Sequence, residues 1–403
     1  MVQCQNLVFT PSSAVAQHIA ALGRTEDAVF SPDQTRLAIA GFNENKVLVI
    51  QIEVVSENGI MSVRSEECVE LLCPDFNRPH GLSWIDDDTL VVANRGEDVI
   101  LVSVPAVSNK GGAVVLEPEL RLSEGCEDII ASPGSVDVVR LDDEYFDLLV
   151  CNNYRNYVSR HIIKRKNGFT AIAGVPLFKQ GLKVPDGIAI SRNGELVAIS
   201  NHDCKRVDVF PNHPDSATAT YPVASLEVSH YPHGVRFAME DRLLLVADAG
   251  APMVHVFVRN DTAWTSAKSP HLSLKVIADE VFRRGQRNPQ EGGPKGLDIL
   301  ADGSLLVVSC EALPIAFFDF RPLRDRLVKP DLTNLRQVRS SDARLLDTVM
   351  AIVKAQHDQI GALRAELAKS AVKKALPRPS LDRRIWRLLK RLAQDVNGGG
   401  GTG

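Results

Sequence analysis

Along most of the chain, short apolar runs of four or so residues alternate with polar turns, and the pattern returns at a nearly constant interval. Six turn motifs line up: Glu26-Asp27-Ala28, Pro79-His80-Gly81, Pro133-Gly134-Ser135, Pro185-Asp186-Gly187, Pro232-His233-Gly234 and Pro294-Lys295-Gly296. Their first residues are 53, 54, 52, 47 and 62 positions apart. Each motif leads into a short strand-like stretch, such as Leu82-Ser83-Trp84 or Ile188-Ala189-Ile190. A polar turn usually follows, and then an apolar run, as in Leu90-Val91-Val92-Ala93 or Leu244-Leu245-Val246-Ala247. Runs that are apolar on both faces are strands sandwiched between neighbouring layers, and the Gly- and Asp-rich turns suit hairpins.

One such small antiparallel sheet cannot bury both its faces, whereas a closed ring of them can. The expected fold is therefore all-β, a six-bladed β-propeller over residues 25–330. Residues 1–24 form an N-terminal segment, with Asn6-Leu7-Val8-Phe9 expected to close the last blade. A seventh, degenerate blade has room between Val258 and Gly292, where the spacing is widest.

After Pro330 the pattern changes to a C-terminal α-helical extension over residues 340–395. Leu346, Val353, Ile360 and Leu367 recur every seven residues, so residues 340–374 read as a coiled-coil-like helix for self-association or for packing on the chain's own propeller. A second helix, residues 380–395, carries Arg383, Arg384, Arg387, Lys390 and Arg391 around an apolar face. That basic amphipathic face suits a protein partner's groove or peripheral contact with an anionic membrane. The glycine-rich end, residues 396–403, reads as disordered.

Composition adds exclusions. A net charge of -4 in 403 residues gives no overall basic surface for nucleic acid. No apolar run is long enough to span a membrane, and the start of the chain lacks a secretory signal pattern. The seven cysteines are scattered without a C-x-x-C pair, which fits unpaired thiols in a reducing cytoplasm.

In a propeller the turn before each innermost strand points at the central channel. The aligned central residues are Asp27, His80, Gly134, Asp186, His233 and Lys295. Histidines and carboxylates converging on one axis suit a divalent cation. A second set of polar residues, Asn94, Asn152, Asn201 and Asp248, follows the middle strands and is expected to satisfy turn backbone.

The phrases Val184-Pro185-Asp186-Gly187-Ile188 and Tyr231-Pro232-His233-Gly234-Val235 resemble the NHL-repeat propellers and the related gluconolactonase/regucalcin family. The resemblance implies a divalent metal held by Glu26 and Asp186; with His233 as a further ligand the cation, calcium, zinc or manganese, would serve a hydrolase in which His80 or Asp27 is the candidate general base. Here Asp27-Ala28 replaces the family's Gly-Pro after the glutamate, and His233 replaces a turn Asn or Asp. Two functions follow as expectations. One is a propeller scaffold that binds a small ligand or a protein partner through its channel mouth and helical tail. The other is a metal-dependent hydrolase of sugar lactones or related small esters. A lyase like the streptogramin-inactivating propellers is a third, weaker reading.

Overall fold

The computed structural model describes residues 2–327, except residues 4, 97, 109–110, 123–128, 179, 213–220 and 261–262. The chain divides into Met1–Lys329 and Pro330–Gly403. The expected tail helices over 340–395, with Leu346, Val353, Ile360, Leu367, Arg383, Arg384, Arg387, Lys390 and Arg391, lie outside the described residues. The α-helices among the described residues are three short ones, Ser13–Ala20, Asp279–Gly285 and Arg321–Leu327. None of them is long and apolar enough to cross a membrane.

The strands form a β-propeller, and they assemble into seven sheets. Six sheets begin with a strand that carries one of the aligned turn motifs: Thr25–Phe30, Pro79–Asp86, Pro133–Arg140, Pro185–Ile190, Pro232–Ala238 and Pro294–Ile299. We number these sheets one to six by that innermost strand. The innermost strands contact one another in sequence, and Pro294–Ile299 meets Thr25–Phe30 to close the ring.

The expected count of six is corrected by the seventh sheet, in which Val8–Pro11, Ile60–Ser65 and Glu53–Glu57 are paired. The hairpin of this sheet interrupts the first sheet between its strands Lys46–Gln51 and Cys68–Leu72. It carries no Pro-x-Gly turn, so a repeat keyed on that motif passes over it. The wide interval after Val258 holds an outer strand, Leu272–Lys275, and the helix Asp279–Gly285 instead.

The N-terminal segment is shared among three sheets. Gln5–Asn6 pairs with Leu313–Asp319 as the outer strand of the sixth sheet, Val2–Gln3 joins the fifth, and Val8–Pro11 joins the seventh.

The core lies between neighbouring sheets. Ala38, Val47 and Val49 of the first sheet pack with Leu82, Leu90 and Val92 of the second. Leu305, Val307 and Phe317 of the sixth pack with Leu37, Ile39 and Leu48 of the first, so the ring closes through apolar contact. Each fully buried Leu, Val or Phe contributes roughly 1.5–3 kcal/mol. The middle strands are inaccessible on both faces, which accounts for their continuous apolar runs.

Candidate metal centre at the channel mouth

The register of each innermost strand decides which side chain enters the channel. Thr25 pairs with Gly41, Pro79 with Asn94, Pro133 with Asn152, Pro185 with Asn201, Pro232 with Asp248 and Pro294 with Cys310. The pairing shifts immediately afterwards in all six. Such bulges re-aim a side chain. The equivalent residues are therefore Glu26, His80, Gly134, Asp186, His233 and Lys295. Asp27 is equivalent to Gly81, Ser135, Gly187, Gly234 and Gly296, which corrects its expected alignment by one residue. Thr25, not proline, opens the first motif, so the proline that marks the register elsewhere is missing there.

Glu26, His80, Asp186 and His233 meet in one buried cluster. His80 Nε2 lies 3.5 Å from Glu26 Oε2 and 4.0 Å from Asp186 Oδ1. His233 Nε2 lies 3.7 Å from Glu26 Oε2 and 3.0 Å from Asp186 Oδ2. The two imidazoles stack at 5.5 Å. His80 Nδ1 is 2.8 Å from the Gly134 carbonyl oxygen. A carbonyl only accepts, so Nδ1 carries the proton and Nε2 presents a lone pair to the cluster.

Burial, with Arg95 adding to it, lowers the His80 pKa to about 3, and burial lowers that of His233 to about 4. Both rings are thus neutral near pH 7, the form that binds a metal. Burial alone would raise the Glu26 carboxyl, but Lys295, His80, Arg24 and His233 together outweigh it and hold the group well below the usual range. Asp186 is likewise held well below that range, against its burial, by His233 and the cations and imidazoles around it.

The residue just past the middle strand also reaches the cluster in four of the six sheets: Phe42, Arg95, Asn153 and His202. Arg95 Nη2 reaches His80 Nε2 at 2.8 Å and Asp186 Oδ1 at 3.0 Å. Asn153 donates to Asp186 Oδ1 at 2.6 Å. His202 Nε2 lies 3.4 Å from Asp186 Oδ2. Phe42 packs edge-on to His80. Lys295 is fully buried, with its ammonium 3.0 Å from Glu26 Oε1 and 2.8 Å from Glu291, and Arg24 also pairs with Glu26. Glu26 is therefore divided: Oε1 faces the cations, and Oε2 faces the imidazoles.

His202, Arg95 and Asn153 are missing from the sequence-based site. The available signal was their position, one residue beyond the second polar set. That set itself does bind turn backbone: Asn201 accepts from Lys183 N at 2.8 Å, and Asp248 accepts from Tyr231 N at 2.8 Å.

Among the described residues, Glu26 Oε2, Asp186 Oδ2 and both nitrogens of His202 make no hydrogen bond, although Asp186 Oδ2 has His233 Nε2 at 3.0 Å and His202 Nε2 at 3.4 Å. Glu26, His80 and His233 place one potential ligand atom each within 4.8 Å of one another, and so do Asp186, His202 and His233. The enclosed recess has room for roughly one water-sized body.

Further along the innermost strands the chemistry differs. Arg236 faces Asp27 at 3.5 Å and Asp298 at 3.7 Å. Asp27 accepts from Ala28 N and Leu82 N, so its carboxylate staples the first sheet to the second. The structure thus gives Asp27 structural bonds in place of the open position expected of a general base.

Residues 9–134 match the family described as the lipoprotein LpqB β-propeller domain. That is less than half of the chain. No curated protein matches it. The matched stretch contains Glu26, His80 and Arg95 and ends at Gly134, so Asp186, His202 and His233 lie beyond it.

Proposed function

We propose that the channel mouth holds one divalent transition-metal ion and that the protein is a metal-dependent hydrolase of lactones or related small esters. The observation that carries this reading is the pair of buried carboxylate oxygens, Glu26 Oε2 and Asp186 Oδ2, which make no hydrogen bond among the described residues and face three imidazoles, the nearest 3.0 Å from Oδ2. Leaving such oxygens without a donor costs about 1–3 kcal/mol each or more when ionised, and a cation removes that cost. Three imidazoles favour zinc over calcium and manganese, which prefer oxygen ligands.

Glu26, His80 and His233 make a set of two histidines and one carboxylate, the count that leaves a coordination position open for substrate or water. A divalent ion there supplies carbonyl polarisation and a water acidified toward neutral pH. With such an ion held by Glu26, His80 and His233, Asp186 would be the carboxylate placed to accept a proton from the activated water: Oδ2 makes no hydrogen bond among the described residues, and Asn153 fixes Oδ1. His202 Nε2 lies 3.4 Å from the same Oδ2. In this assignment His80 is a ligand and Asp186 the base, the reverse of the roles expected for them from the sequence.

The test is turnover of a lactone and phenyl-ester panel by zinc- or manganese-loaded protein and by the chelated form. Hydrolysis is expected in the loaded protein alone. It should be lost in Asp186→Asn, which should still hold metal. Retained metal with no turnover across the panel would contradict the hydrolase reading.

A further inference from the structure

We infer that Arg95 is the anion-selecting residue of this site and that it holds the metal's ligands until the metal arrives. The inference rests on the metal-centre reading above and deepens it to a substrate class, small carboxylates or compounds that become carboxylates on hydrolysis.

The first observation is one of competition. His80 Nδ1 is committed to the Gly134 carbonyl, so Nε2 has a single lone pair, and the Arg95 guanidinium occupies it at 2.8 Å. A metal bound through His80 needs that same lone pair. Arg95 also bonds Asp186 Oδ1, 4.0 Å from His80 Nε2, so the guanidinium bridges both metal-facing groups. A divalent ion and a guanidinium repel each other strongly at such distances within a buried site. Metal loading must therefore displace Arg95 from His80.

The second observation indicates where the freed guanidinium acts. Arg95 Nη1 is buried without a hydrogen-bond partner among the described residues, although guanidinium donors rarely stay unmet in an interior. Arg95 follows the last residue of the strand Thr89–Asn94, with its side chain about one-sixth exposed, so it sits at the rim of the cluster. The neighbouring cations, Arg24 and Lys295, are already paired with Glu26, Glu291 and Glu311. Arg95 is the rim cation with an unmet donor. Its planar fork matches the two oxygens of a carboxylate, which would sit between the metal and Nη1/Nη2.

Calorimetric titration of the chelated, full-length protein tests both halves, with zinc as the first probe and lactate as the second. Propane-1,2-diol, which has lactate's shape without its carboxylate, is the control. Removing a competitor should tighten zinc binding by roughly tenfold or more in Arg95→Met, a coupling of ordinary allosteric size. Zinc-loaded Arg95→Met should bind lactate about tenfold more weakly than the wild type, with the diol unchanged. Arg95→Lys, which keeps the charge but not the fork, should lie between them and guards against a misfolded Met variant. Zinc binding by Arg95→Met when the wild type binds none would also support the inference. Zinc affinity that is unchanged or weaker in both variants, or lactate affinity independent of Arg95, would overturn it and leave the metal reading standing. Absence of zinc binding in every form would overturn both.

Discussion

Two rings of charged residues share one channel and treat their carboxylates in opposite ways. At the mouth, Glu26 and Asp186 each leave a buried oxygen with no hydrogen bond among the described residues. Further along the innermost strands, Asp27, Asp137 and Asp298 use both oxygens on backbone N–H groups. Asp137 accepts from Val138 N and Ile190 N, and Asp298 accepts from Ile299 N and Phe30 N. Asp137 thus ties the third sheet to the fourth, while Asp298 ties the sixth to the first across the ring closure. Ser83 adds a bond from the second sheet to Asp137 at 3.0 Å. Arg236 is the cation that faces all three carboxylates. The difference teaches that acidic residues pointing into a channel are not by themselves a site. Carboxylates bonded to backbone on two sheets hold those sheets together, and it is the ones lacking such bonds that make a candidate site.

The sharpest way to break that contrast is Arg236→Met. Removing the cation leaves three buried carboxylates facing one another, and the loss of one partner from such a network costs about 3–5 kcal/mol. Urea unfolding should show this loss, while the folded fraction keeps the zinc affinity of the wild type. Loss of zinc binding with unchanged stability would reverse the assignment of the two rings.

A smaller effect separates the rings by pH. Burial raises the Asp298 pKa to about 6, against the pull of Arg236. Between the ordinary carboxylate value and pH 6 the native state therefore binds more protons than the unfolded chain. This group's contribution to stability then falls as pH rises through that window and is flat above it. The stability of the wild type relative to Asp298→Asn should decline from pH 4 to pH 6, by at most about 3 kcal/mol. A difference that is constant with pH would contradict the shift.

The smallest effect is expected from the tail. Every mouth residue lies within Met1–Lys329, so a chain ending at Lys329 should melt like the full protein and bind zinc equally well. Lost zinc binding in the shortened chain would bring residues 330–403 into the site.

How far the sequence spoke for itself differs from place to place. The propeller was legible because buried middle strands demand apolar runs and tight turns demand Pro-x-Gly, both visible in a linear pattern. His80, Asp186 and His233 were legible for the same reason, since each stands between such a proline and glycine. Asp27 was misplaced because Thr25 opens its motif, and a one-residue slip at a bulge exchanges a channel residue for a stapling one. His202, Arg95 and Asn153 sit just past the middle strands, where no motif marks them, and only the closed ring brings them to Asp186. The hairpin Glu53–Glu57/Ile60–Ser65 escaped notice because it is an excursion within one repeat.

The most direct test of the central claim is the metal content of the purified protein, measured by mass spectrometry after zinc loading and desalting, beside His233→Ala. His233 belongs to both possible ligand sets. Its removal should cost more than the roughly 10–100-fold in affinity of an outer-shell change. The account predicts about one zinc per chain in the wild type and none in the variant. Equal zinc in both, or none in either, would contradict it.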